Sequence, residues 1–391
     1  MLHYIGLVKW TTIWLLLIAE LLSMGVWFSA SAVAPALSAA WSLDDSGRSW
    51  LTMSVQAGFV AGALISALLN LSDRIPAHLL FAWSAVVASA STALIAARAD
   101  GLKMAVLLRF LTGLFLAGVY PVGMKIVATW TKEDRGLGIG LLVGALTLGS
   151  AAPHLLNALG ITSDWRVLLY TAAAAAAGGG LIAALFVRMG PNQTPARRFK
   201  WSYAGKILQD PPVLLANLGY LGHMWELYAM WSWIAGYVAS SSVAFLAIAA
   251  GGPGSLVAGK LADRIGRTTV TIASMGVSGA CAALIGIVYH SPFLSVIAII
   301  WGFAIVADSA QFSACVTELC DGEHLGTALT LQTCLGFLLT MFTIRLVPLV
   351  QARIGVQWSF AVLAIGPALG IIAMAALRRR PEAEQIAGGK K

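Results

Sequence analysis

The chain has 391 residues, 59% of them hydrophobic and only 11% charged, with a formal net charge of +8 and a mean hydropathy of +0.83. Soluble domains carry roughly 25% charged residues, so this composition excludes an ordinary soluble globule. Most of the chain has to meet lipid or other helices.

A membrane span needs about 20 mainly apolar residues, and the sequence predicts twelve of them in order. The first, over 10–37, is too long for a cleaved signal peptide and carries Glu20, Ser23, Trp27 and Ser31 on one face. Spans follow over 49–70 and 78–98, the latter without internal charge. The fourth, over 104–129, holds Arg109 and Tyr120 eleven residues apart on one side, with Lys125 nearer its end, where it can snorkel. The fifth, over 137–157, adds Thr147, Ser150, His154 and Asn157, and the sixth covers 166–188. The run Ala172–Gly180 and the series Gly136, Gly140, Gly144 read as close helix packing.

Then comes the longest polar interruption, residues 190–210. The seventh span, over 212–239, groups His223, Glu226, Met230, Trp233 and Tyr237 within one sector, and the eighth, over 242–261, is interrupted at Gly251, Gly252, Pro253 and Gly254. After a ninth over 268–289, the tenth, over 294–317, lines up Trp301, Asp308, Gln311 and Cys315. The eleventh, over 325–350, carries Gln332 and Thr343 on one face and Thr330, Thr333 and Thr340 on another; the twelfth covers 357–377. The fold class expected is therefore all-α and membrane-embedded, twelve helices in two pseudo-symmetric six-helix bundles, 1–189 and 211–391, joined by a cytoplasmic linker at 190–210.

With both termini placed in the cytoplasm, Lys and Arg in the loops divide 17 inside to 5 outside, the positive-inside bias. Topology thus explains the basic charge without a nucleic-acid partner, and in a bacterium the membrane would be the inner one. Cys281, Cys315, Cys320 and Cys334 read as reduced thiols, since none sits in an external loop. Neither a metal-ligand cluster, a GxxxxGK[ST] loop nor a Ser-His-Asp arrangement is evident, which argues against an enzyme and against a cofactor.

The two halves echo each other. Ser72-Asp73-Arg74-Ile75 matches Ala262-Asp263-Arg264-Ile265, and Asp134-Arg135-Gly136 matches His324-Leu325-Gly326. Residues 73 and 263, like 136 and 326, are 190 positions apart, which implies one duplicated six-helix unit. Paired repeats are a transporter design.

Gly259-Lys260-Leu261-Ala262-Asp263-Arg264-Ile265-Gly266-Arg267 resembles the loop signature of the major facilitator superfamily. The first-half copy departs from it, with Asn70 in place of the first glycine and Pro76 in place of the later one. Arg109 with Gly113, and Trp165-Arg166, are similar to further motifs of that family. The resemblance implies a latch at Asp263, Arg264 and Arg267, with Asp73 and Arg74 as its weaker counterpart. It also implies a central cavity lined by the first helix of every three.

Each ionisable group inside a span costs about 2.5–3.5 kcal/mol on insertion scales and asks for a role. Glu20, Glu226 and Asp308 are the candidate proton carriers, because an apolar cavity makes a carboxylate hold its proton more readily. Asp308 is first choice, near mid-membrane with Trp301 and Gln311 on its face. Glu226 has His223 one turn away as a local partner. Arg109 is a counter-charge, an anion ligand or a structural partner, and Trp27 and Tyr120 complete the set. The function expected is secondary transport of a small solute by alternating access, coupled to protons, by a monomer in the lipid bilayer. Uncoupled facilitation and proton-antiport efflux of amphipathic compounds are the alternatives.

Overall fold

The computed structural model describes residues 2–131, 134–160, 164–193 and 199–390. Lys132, Arg197, Arg198 and Lys391, counted in the charge bias above, lie outside the described residues. The chain divides into two compact units, Met1–Ala196 and Arg197–Lys391, and the described residues contain helices and no strands.

In the first unit the long helices are α1 (Leu2–Ala32), α2 (Asp45–Leu69), α3 (Ala77–Arg98), α4 (Leu102–Trp130), α5 (Arg135–Ala158) and α6 (Trp165–Phe186). In the second they are α7 (Pro211–Tyr237), α8 (Ser241–Ile265), α9 (Arg267–Val288), α10 (Phe293–Leu319), α11 (Leu325–Ile354) and α12 (Val356–Arg378). Eleven of these twelve are long and apolar enough to cross a membrane. The other, α7, has 27 residues, about 40 Å at about 1.5 Å per residue; its many Trp and Tyr side chains lower its hydropathy without making it polar. Local chemistry sets several starts. Asp44 caps α2 by accepting from the Gly47 N–H (2.7 Å), Asp164 caps α6 through the Arg166 N–H (2.9 Å), and Pro211 and Pro212 open α7.

Several predicted helices are interrupted. The first stops at Ala32, and a separate helix, Ala34–Trp41, follows it, because Pro35 cannot donate to the helix before it. Helix α4 breaks into Leu102–Leu116 and Tyr120–Trp130, with Pro121 opening the second half. Helix α10 breaks at Asp308 into Phe293–Ala307 and Ser309–Leu319 (α10b). No Pro or Gly lies at that joint; it falls on an Asp, whose short side chain competes for backbone donors. Gly118, in the α4 break, and Asp308 are 190 positions apart, the offset of the repeat.

The second and fourth helices of each unit touch backbone to backbone. A methyl added at Gly113 of α4 would overlap the Val55 carbonyl of α2, and one at Gly302 of α10 would overlap the Ala247 carbonyl of α8. Only glycine permits that approach. The stretch 190–210 contains its own short helix, Trp201–Gln209, with Ile207 buried.

Candidate functional site

The second unit holds a cluster of buried polar side chains. His223 on α7 and Asp308 at the joint of α10 are both 1% exposed. His223 Nδ1 lies 2.8 Å from Asp308 Oδ1, an ion-pair distance when the imidazole is protonated. Glu226, one turn along α7, is equally buried and accepts from Trp301 Nε1 of α10 and from Ser278 Oγ of α9, the latter at 3.0 Å. The reading that paired Glu226 with His223 is therefore corrected. The imidazole goes to Asp308, because the break in α10 puts the aspartate against α7, and Glu226 is held by two neutral donors. Phe312 and Tyr220 border the His223 ring, with centroids 5.6 Å and 6.1 Å away.

In the first unit Arg109 is fully buried, and among the described residues no ion pair holds it to a carboxylate. It donates from Nε to the Leu51 carbonyl (3.0 Å), from Nη1 to that of Val26 (2.6 Å) and from Nη2 to that of Trp27. Of the roles left open for it, counter-charge, anion ligand or structural partner, these contacts fit the last: a clamp joining α4 to α1 and α2. Trp27 packs on Phe59 of α2, centroids 5.1 Å apart. Glu20 is fully buried, and neither carboxylate oxygen finds a hydrogen bond among the described residues. It faces Gly123 in the second half of α4, where an added methyl would stand 3.0 Å from Oε2. Tyr120 opens that half-helix and is partly exposed.

The two loop signatures fold differently. Helix α8 runs through Gly259 and Asp263 to Ile265 and ends on Gly266, whose φ of +98° suits glycine. Helix α2 stops at Leu69; Asn70 turns left-handed (φ +51°), and a single helical turn, Leu71–Arg74, follows. Asp73 pairs with Lys125 of α4 (2.5 Å), so Lys125 is an ion-pair partner rather than a snorkelling side chain. In the second copy Arg267 does the joining. It grips Glu318 with Nε (3.0 Å) and Nη2 (2.8 Å) and reaches Gln311 with Nη1 (3.0 Å), while Asp263 stays 3.7 Å away. Arg74 and Arg264 are exposed. Outside the spans, burial and the nearby Glu382 and Asp321 push the Asp210 carboxyl up from its usual range. Hydrogen bonds from its own backbone and from Arg380 hold Glu382 below that range.

The model of the Major Facilitator Superfamily matches this sequence twice, over residues 16–249 and 234–391. The chain belongs to the major facilitator superfamily. A crystal structure of a mutant nucleoside transporter, NupG, superposes with a TM-score of 0.69 at 14% identity, covering 94% of this chain and 99% of that one. A search of the curated proteins finds no match.

As a superfamily member the chain is an integral, multi-pass membrane protein that carries a solute. Of the residues singled out from the sequence, Asp308, His223, Glu226 and Trp301 come together in the second unit. Gln311 does not join them; it sits on the side of α10b that Arg267 reaches, and is corrected from a cavity residue to part of the loop network. Two participants were missed. Ser278 is one of many serines in apolar helices, and nothing in its spacing marks it. Gln56, fully buried on α2 with no partner for its amide among the described residues, could have been found as the lone amide of that span.

Proposed function

We propose that the chain is a proton-coupled secondary transporter working by alternating access, with the Asp308–His223 pair as its proton carrier. The observation that carries this reading is that buried pair, set at the break of α10 about 22 Å along the helix from Phe293. With one proton on the imidazole the pair is an ionic tie between α7 and α10. Without that proton, Asp308 is left charged beside a neutral ring and the tie weakens. Proton occupancy thus biases which arrangement of the two helices is favoured, which is what coupling requires. Glu226 is the second acid of the assembly, and Glu20 offers the first unit's unoccupied acceptor to the solute. The charge asymmetry of the loops supports placing both termini and residues 190–210 in the cytoplasm.

The test is flux into proteoliposomes with and without an imposed pH gradient. Nucleosides, the class for which the similar transporter is named, are the first probe. The protein is expected to concentrate its solute only when the gradient is present. Asp308→Asn keeps the side-chain shape and removes the titration, so it should retain exchange and lose uphill uptake. Uphill, pH-driven uptake by Asp308→Asn at the native rate would remove the pair from the mechanism.

A further inference from the structure

Residues 190–209 contain Arg197, Arg198, Lys200 and Lys206 and no acid. They end in the helix Trp201–Gln209, which Asp210 joins directly to α7. Contacts within the second unit fix the height of this linker helix. The Lys200 N–H donates to Thr327 Oγ1 (3.0 Å), and the Tyr203 ring meets that of His324 edge-on, centroids 4.3 Å apart. Thr327 lies in the first turn of α11, whose 30 residues span about 45 Å at about 1.5 Å per residue. The hydrocarbon core of a bilayer is roughly 30 Å thick, so that first turn, and the helix docked on it, stand at headgroup level.

Turned at about 100° per residue, the linker helix has three sectors. Tyr203 and Ile207 share the first, with Ile207 buried against the unit. In the second, Trp201 and Leu208 lie within roughly 20° of each other and are 61% and 42% exposed. Ser202, Lys206 and Gln209 fill the third, all exposed. Docking thus accounts for one sector only. A free apolar strip beside a free polar and basic one, at headgroup level, is the pattern of a helix lying in a membrane interface, a depth at which Trp is enriched.

We propose that the helix Trp201–Gln209 is a membrane-surface anchor. Trp201 and Leu208 enter the acyl boundary of the bilayer, and the basic side chains of the stretch hold anionic headgroups. Charge decides the occupant: a run of cations without an acid is complementary to a negatively charged lipid surface. Lys200 Nζ gives one donor to the Tyr203 hydroxyl (3.1 Å) and has others for a phosphate. Since the helix leads through Asp210 into α7, lipid held there fixes the start of the helix that carries His223. The inference does not require the proton reading to be correct.

Probes at two exposed positions test it. In a background with the four cysteines replaced by Ser, Leu208→Cys and Ser202→Cys are each labelled with bimane and placed in nanodiscs. Both positions are on the surface, so neither label disturbs packing. The discs contain phosphatidylcholine alone or with phosphatidylglycerol, plus a lipid bearing a doxyl quencher near the headgroup end of its acyl chain. The probe at 208 is expected to be quenched several-fold more than that at 202, and more again when phosphatidylglycerol is present. Lys200→Glu with Lys206→Glu should abolish the response to phosphatidylglycerol. Equal quenching at both positions would overturn the anchor, as would indifference to the anionic lipid. A probe at 208 shielded from aqueous iodide yet untouched by the lipid quencher would overturn it too, because a second copy or another protein would then cover the strip. Nanodiscs present the same lipid to both faces, so the result is independent of orientation and of proton coupling.

Discussion

Arg109 shows why a buried charge in a sequence leaves several roles open until its partners are seen. Counter-charge, anion ligand and structural partner all fit its residue type and depth, and its guanidinium places its donors on three backbone carbonyls of two other helices. Those carbonyls lie inside helices, and that of Val26 also accepts from the Ser29 hydroxyl (3.0 Å). Lys has one compact donor group and cannot span the three positions. Arg109→Lys should therefore lose two charge-assisted bonds and about 3 kcal/mol of stability, read as a lower Tm in detergent. A Tm equal to the native protein's would mean that the clamp carries no stability. Asp308 and His223 are the opposite case, two residues that gain a role only from each other.

At the scale of elements, each unit repeats one construction: its fourth helix is broken, and it packs backbone to backbone on the second. Gly302 makes the α8–α10 contact possible. Gly302→Val should force the two helices apart at a cost on the order of 3 kcal/mol, lowering both Tm and the yield of monodisperse protein. Gly276 on α9 has nothing within 4 Å of the position a methyl would take, so Gly276→Ala should leave both properties close to native. A Gly302→Val variant as stable as Gly276→Ala would show that the close approach can relax. The joint at Asp308 matters for the same reason: a continuous α10 would have no break at the residue that faces His223.

For the whole molecule, orientation is the claim on which every cytoplasmic assignment depends. Gln193 is exposed between the sixth and seventh helices. In a cysteine-free background, Gln193→Cys is expected to react with a membrane-impermeant maleimide only in inside-out vesicles. Labelling in intact cells would invert the topology and move the Arg267–Glu318 ion pair to the outer face.

The sequence alone determined the class, the number of spans and the family, because these rest on local and additive properties. Twenty apolar residues must cross a bilayer as a helix, loop charges sort by side, and a duplicated loop keeps its spacing wherever the chain goes. It also picked out Glu20, His223, Glu226 and Asp308, since any ionisable group in an apolar span is conspicuous. Pairing was the part that only the tertiary structure decided. Glu318 and Arg267 are 51 positions apart and Lys125 and Asp73 are 52 apart; helix periodicity relates residues within one helix and says nothing about which helix lies alongside. The breaks at Gly118 and Asp308 decided the rest, because a helix that bends aims its side chains where an ideal 3.6-residue turn would not.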